Sequence, residues 1–184
     1  IPNLTIGAPM TGDDLRQMLL LAETMEGPVA IRYPRGRTKP APQATTPCEK
    51  GKGVCLREGK DIAILTLGAI GNTAVSAIEQ IAVSDPDYAA RIAHYDLRWL
   101  KPLDTSLLDR IGQQYTTIYT IEDGIIQGGF GSAVLEYFAT KGYTPRVIRL
   151  GVDDQFVEHG STNELFQMLG LDADGIATTI QRNK

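Results

Sequence analysis

The chain has 184 residues, 42% hydrophobic and 22% charged, an ordinary composition for a soluble globular protein of one full domain plus a remainder. A net charge of −4 and an isoelectric point near 5.2 argue against a nucleic-acid binder, which would present a basic face. Two cysteines, Cys48 and Cys55, are too few for a secreted disulfide framework and lack zinc-site spacing. The expected setting is therefore a reducing cytoplasm; no apolar stretch approaches the ~20 residues needed to cross a bilayer, and nothing resembles a signal peptide.

Ile1 is not a start methionine, and Ile1 to Pro9 reads as a strand and loop already under way, so a piece of a larger protein is expected. Thr11 is an N-cap, with Asp13 and Asp14 in the first turn of the helix it opens. Leu15, Met18, Leu19 and Ala22 give that helix one apolar face. Gly27-Pro28 ends it and launches a strand from Pro28 that Pro34 stops, because proline cannot extend the ladder. So small a unit cannot be stable alone and must pack on something outside the chain or on the domain that follows.

Residues 35–50 carry Pro40, Pro42 and Pro47 without apolar periodicity and read as an interdomain linker. Beyond them strands and helices alternate. Val54-Cys55-Leu56 and residues 62–67 are strands, with Glu58-Gly59-Lys60-Asp61 as a hairpin turn between them. A helix over residues 71–83 follows, facing Val75, Ile78 and Ile81-Ala82 inward, then a strand over 92–97. Lys101-Pro102-Leu103-Asp104 is a loop ending in the cap of a helix that carries Leu107, Leu108 and Ile111. A strand at 117–121, a glycine loop, a helix at 132–140, a strand at 146–150 and helices at 161–169 and 174–181 complete the chain. The alternation predicts a mostly parallel sheet covered on both faces, with the early hairpin adding one antiparallel strand.

Arg32 and Arg35 flank Tyr33-Pro34 just beyond a strand end, where ligands of open α/β sheets bind. A guanidinium there offers a planar fork that matches a phosphate or carboxylate; the alternative is a solvated arginine pair. Gly128-Gly129-Phe130-Gly131-Ser132 lies where phosphate-cradling loops occur, as does Gly68-Ala69-Ile70-Gly71, but neither completes a nucleotide motif. Both serve equally as tight turns and close packing points. Glu122-Asp123-Gly124 offers carboxylates for a metal or for proton transfer, or a turn with an interface contact. His159 before Gly160 reads as a cap or loop residue without an evident nucleophile, and His94 within a strand as structural. Cys48 and Cys55 have no histidine near them in sequence, so a thiol nucleophile has little support.

The order of Arg32-Tyr33-Pro34-Arg35-Gly36, Gly51-Lys52-Gly53, Lys101-Pro102-Leu103-Asp104, Glu122-Asp123-Gly124 with the glycine loop, His159-Gly160 and Gly170-Leu171-Asp172 resembles a known family. It is the carboxyl-terminal part of the 1-deoxy-D-xylulose-5-phosphate synthases, in the transketolase superfamily of thiamine-diphosphate enzymes. The resemblance covers essentially the whole chain, and its specificity lies in the combination. Other members of the superfamily share the glycine loop but not the Arg-Tyr-Pro-Arg-Gly and Lys-Pro-Leu-Asp pair.

The resemblance implies that residues 1–40 end a pyrimidine-binding domain, 41–50 link, and 51–184 form a transketolase-type C-terminal domain. That domain would be a three-layer α/β/α sandwich whose five-stranded, mostly parallel sheet has one antiparallel strand. It also implies the joining of pyruvate to D-glyceraldehyde 3-phosphate with loss of carbon dioxide, a step toward isoprenoids, thiamine and pyridoxal. Thiamine diphosphate, held through Mg2+, would supply the carbanion chemistry in the complete enzyme, a cytoplasmic homodimer. Arg35 matches the residue that grips the acceptor's phosphate, and Arg32 would support the strand end or pair with a carboxylate. The diphosphate–magnesium motif, the activating glutamate and the active-site histidines of the family would lie upstream of Ile1. Glu122 replaces the first glycine of a Gly-Asp-Gly motif, so that triplet is no cofactor site, and the chain alone would be inactive. The alternatives are the C-terminal part of a 2-oxo-acid dehydrogenase beta chain or of a transketolase, or a non-catalytic module binding an anion at its glycine loops.

Overall fold

In the computed structural model, which describes residues 1–36, 38 and 46–184, two sheets meet at one turn of the chain. The larger has five strands, β3 (Val54–Arg57), β4 (Ile62–Thr66), β5 (Ile92–Asp96), β7 (Thr117–Ile125) and β8 (Arg146–Val152), in the order β3-β5-β4-β7-β8. β5, β4, β7 and β8 run parallel, and β3 is antiparallel to β5. Every residue of β4 and β5 is buried, as expected of central strands covered on both faces.

Helices supply the outer layers. On one face α2 (Gly71–Ser84) and α7 (Ala173–Arg182) bring Ala74, Ile78, Ile81, Ile176 and Ile180 onto Ile62, Ile64, Tyr119 and Ile121. The short α3 (Pro86–Ala89) and α6 (Thr162–Leu169) pack on the same side through Tyr88 and Phe166. On the other face α4 (Thr105–Gln114) and α5 (Phe130–Lys141) bring Leu107, Leu108, Ile111, Phe130, Val134 and Phe138 onto Ala63, Leu65, Tyr95 and Ile118. The three-layer sandwich with one antiparallel strand is the expected one.

The expected hairpin is not. β3 pairs with β5, the next strand but one, and β4 lies beyond β5. The 58–61 turn crosses the start of β5 so closely that a Cβ on Gly59 would meet Ala93 N at 2.2 Å and Ile92 C at 2.4 Å. Lys60 N donates to Arg91 O, and Arg57 Nε donates to Ile92 O at 3.2 Å, which ties the crossing down. The physical reason is burial. β4 is apolar on both sides and needs a neighbour at each edge, whereas β3 is half-exposed and suits the rim.

The smaller sheet contains β1 (Thr5–Gly7), β2 (Val29–Ile31) and β6 (Trp99–Lys101), in the order β2-β1-β6. β6 matches no expected strand, and only its Lys101 falls in the expected 101–104 loop; three residues are too few for a periodic signal. It pairs antiparallel with β1, so the opening segment packs on the domain that follows it. Trp99 is fully buried, and a Cβ on Gly7 would stand 2.9 Å from its ring. α1 (Gly12–Ala22) starts on a capping box between Thr11 and Asp14, but its expected apolar face is only partly used. Met18 is buried, whereas Leu19 and Leu20 are 51% and 53% exposed. Of the linker, residues 37 and 39–45 lie outside the described residues, and Cys48 N donates to Gln17 Oε1 on α1.

Candidate functional site

Arg98 occupies the turn where the chain leaves β5 for β6, in the left-handed region at φ 56°. Its guanidinium is buried. Nη2 donates to Asp14 Oδ1 on α1 at 2.8 Å and to Thr46 O at 3.2 Å, and Nη1 donates to Pro47 O at 3.3 Å. Asp96 Oδ1 accepts from the Arg98 backbone N–H, while Asp96 Oδ2 lies 4.0 Å from Arg98 Nε and has no hydrogen-bond partner among the described residues. Burial pushes the Asp96 carboxyl up to about 7; the backbone N–H and charge of Arg98 offset only part of that cost, and Asp14 adds to it. One side chain thereby joins α1, the end of the linker and the sheet. Sequence reasoning missed this cluster, because Asp14, Asp96 and Arg98 form no local motif; the capping-box spacing accounts for the place of Asp14 alone.

β2 ends at Ile31, on the edge of the small sheet. Arg32 N donates to Gly7 O at 2.9 Å as the ladder closes, and its guanidinium reaches the Asp123 carboxylate at the end of β7. Past Pro34, Arg35 is exposed and makes no ion pair among the described residues. It lines a cleft of about 500 Å³ together with Tyr33, Met10, Asn72, Thr73, Asn163 and Phe166. Asn72 is held by its amide, which donates to Met10 O at 2.9 Å and Ala69 O at 3.1 Å. The cleft thus lies between the small sheet's rim, the start of α2 and the start of α6, and its lining mixes apolar side chains with amide and hydroxyl groups.

Glu122 and Asp123 do not act together. Asp123 turns to Arg32, whereas Glu122, 6% exposed, accepts from Phe130 N at 2.8 Å and Gly131 N at 2.9 Å. The first turn of α5 therefore already holds an anion, supplied by the chain itself. This overturns the alternative of a phosphate cradled by Gly128-Gly129-Phe130-Gly131. A Cβ at Gly131 would meet Thr120 Oγ1 at 2.4 Å, so the loop's glycine serves close packing. Gly51-Lys52-Gly53 and Lys101-Pro102-Leu103-Asp104 meet in space: Gly53 N donates to Asp104 Oδ2 at 3.0 Å while Asp104 Oδ1 caps α4.

His94 is buried, with Nε2 2.9 Å from Thr66 Oγ1, and burial pulls its pKa to about 3, so it is neutral. His159 lies exposed in the segment before α6. Cys48 and Cys55 are unpaired, and burial raises both thiols. Among the described residues, no group of three or more His, Cys, Asp or Glu is placed to hold a metal ion, and no helix is long and apolar enough to cross a membrane. With the α5 terminus occupied by Glu122, these residues do not fit a diphosphate with its metal.

Residues 51–176 match the family "Transketolase, C-terminal domain". The chain belongs to that family. Its fold is the transketolase C-terminal fold. Over its whole length the chain is 47% identical to the 1-deoxy-D-xylulose-5-phosphate synthase of Bacteroides fragilis, and over 99% of its length 48% identical to that of Parabacteroides distasonis. It covers 28% and 29% of those two proteins, so it spans under a third of the curated relatives it matches. Among solved structures, a split-gene transketolase described as an inactive beta4 tetramer superposes at a TM-score of 0.86 with 29% identity. That superposition covers 99% of this chain and 57% of the other. The Campylobacter jejuni transketolase superposes at 0.74 with 12% identity, over 98% of this chain and 26% of its own, a likeness of fold.

Proposed function

We propose that this chain is the carboxyl-terminal part of a thiamine-diphosphate-dependent transferase that joins pyruvate to D-glyceraldehyde 3-phosphate with loss of carbon dioxide. Its contribution is Arg35, which grips the acceptor's phosphate. The observation that carries this reading is the 47% identity to a synthase of that name along the entire chain. The geometry supports it: an exposed guanidinium without an ion-pair partner among the described residues, on a cleft lined in part by amide and hydroxyl groups, is free to meet a dianion. Thiamine diphosphate and Mg2+ are held by other parts of the enzyme, so these residues alone are inactive. Residues 1–40 close a pyrimidine-binding domain and the rest, after the 41–50 linker, is the C-terminal domain of a cytoplasmic homodimer.

The test is Arg35→Ala in the complete enzyme. A bidentate guanidinium–phosphate contact contributes about 3–4 kcal/mol, so kcat/KM for D-glyceraldehyde 3-phosphate falls roughly 100- to 1000-fold. Turnover with D-glyceraldehyde, which lacks the phosphate, and the KM for pyruvate stay within about twofold. An equal loss with both aldehydes, or none with either, refutes the assignment.

A further inference from the structure

We propose that Arg32 is a positioning residue for Arg35, acting through its ion pair with Asp123. The inference rests on the phosphate role given above to Arg35. Four observations carry it.

Arg32 is the last residue of the small sheet's ladder, through its N–H to Gly7 O, and its side chain crosses to the crest of the large sheet. The guanidinium passes over the turn after β4, where a Cβ on Gly68 would stand 3.6 Å from Arg32 Nη2; Gly68 itself has φ 85°. Its partner is a fixed point: Asp123 is 17% exposed, and the adjacent Glu122 is locked onto Phe130 N and Gly131 N. Between Arg32 and Arg35 stand only Tyr33 and Pro34, and the proline ring fixes one of the few torsions that remain.

The position of Arg35 relative to Asn72, Thr73 and Asn163, which line the same cleft, is therefore set by where Arg32 is moored. Half of the Arg32 side chain is exposed, and an ion pair so placed adds little to stability. What it adds is register between two sheets. A guanidinium displaced by even 1 Å loses the two-point contact with a phosphate, so the effect falls on the phosphorylated acceptor alone.

The experiment uses the complete enzyme, with Arg32→Met, Asp123→Asn, and the exchanged pair Arg32→Asp with Asp123→Arg, each assayed beside Arg35→Ala. The KM for D-glyceraldehyde 3-phosphate rises five- to tenfold in each single variant, while kcat, the KM for pyruvate and turnover of D-glyceraldehyde stay within twofold. The exchanged pair recovers at least half of the loss, which a merely structural role would not produce. The inference is overturned if both single variants leave the KM for the phosphorylated acceptor within twofold, if D-glyceraldehyde suffers equally, or if the exchange is no better than the worse single variant. If Arg35→Ala itself fails to separate the two aldehydes, the phosphate reading falls and this inference with it. If Arg35→Ala separates them and the Arg32 and Asp123 variants do not, this inference alone falls.

Discussion

Arg98→Met tests whether the joint between α1 and the sheet is held by one buried charge. Methionine keeps much of the side chain's length and volume but removes the cation that faces Asp14 and Asp96, which are 5% and 1% exposed. Two carboxylates are then left in a site with no compensating charge, and the donors to Thr46 O and Pro47 O are lost as well. Stripping one partner from a buried pair costs about 3–5 kcal/mol. For a chain of this size that lowers the melting temperature by roughly 6–20 °C. The left-handed backbone at residue 98 offers methionine no relief, since it suits neither side chain. The loss depends on pH: at pH 8 the Asp96 carboxyl, raised to about 7, is stranded as an anion, whereas near pH 5 it is protonated and the deficit shrinks by at least ~1 kcal/mol. Urea denaturation of the 184-residue chain at the two pH values measures both quantities. Adding Asp14→Asn recovers part of the loss, because removing the second charge spares its desolvation. A loss under ~1 kcal/mol at both pH values would show that the joint is solvated and refute the reasoning.

Asp96 carries a prediction of its own. Its folded-state pKa is raised to about 7 from 3.8, so it favours folding fully below pH ~4, and that contribution is lost as the pH rises through 7. Asp96→Asn keeps the acceptor for the Arg98 N–H and therefore gains on the parent by the order of 2–4 kcal/mol between pH 4 and 8; a gain that ran the other way would sink the assignment. Glu122→Ala removes two charge-assisted hydrogen bonds from the α5 terminus and costs ~3 kcal/mol. The vacated site should then accept an outside anion, so ~100 mM formate raises the variant's stability by ~1 kcal/mol and leaves the parent unchanged in thermal melts. Gly59→Ala drives a methyl into the backbone of Ile92 and Ala93 and costs about 2–3 kcal/mol in the same melts, and a neutral result would mean that the 58–61 crossing is mobile.

Much of the fold was legible because it rests on local chemistry. Thr11 and Asp104 cap helices through their own side chains, and apolar runs such as residues 62–66 declare buried strands. The alternation of strands and helices then leaves few ways to cover both faces of a sheet. Arg35 stood out for a similar reason, because a proline marks where the chain quits the sheet and an arginine beside it reaches outward. α3 and β6 went unread, being four and three residues long.

Partnerships across the chain belonged to the tertiary structure alone. Nothing in Glu58-Gly59-Lys60-Asp61 distinguishes a hairpin from a crossing, since the choice depends on which strand needs two neighbours. Glu122 and Asp123 are adjacent carboxylates in sequence, yet one closes a helix terminus and the other answers Arg32, 91 positions away. The joint of Asp14, Asp96 and Arg98 arises only when two sheets share a turn, with Arg98 84 positions from Asp14. Periodicity and caps are set within a few residues, so the amino-acid order determines them directly. Charge pairing and strand order are decided by which surfaces packing removes from water, and those surfaces exist only once the chain has folded.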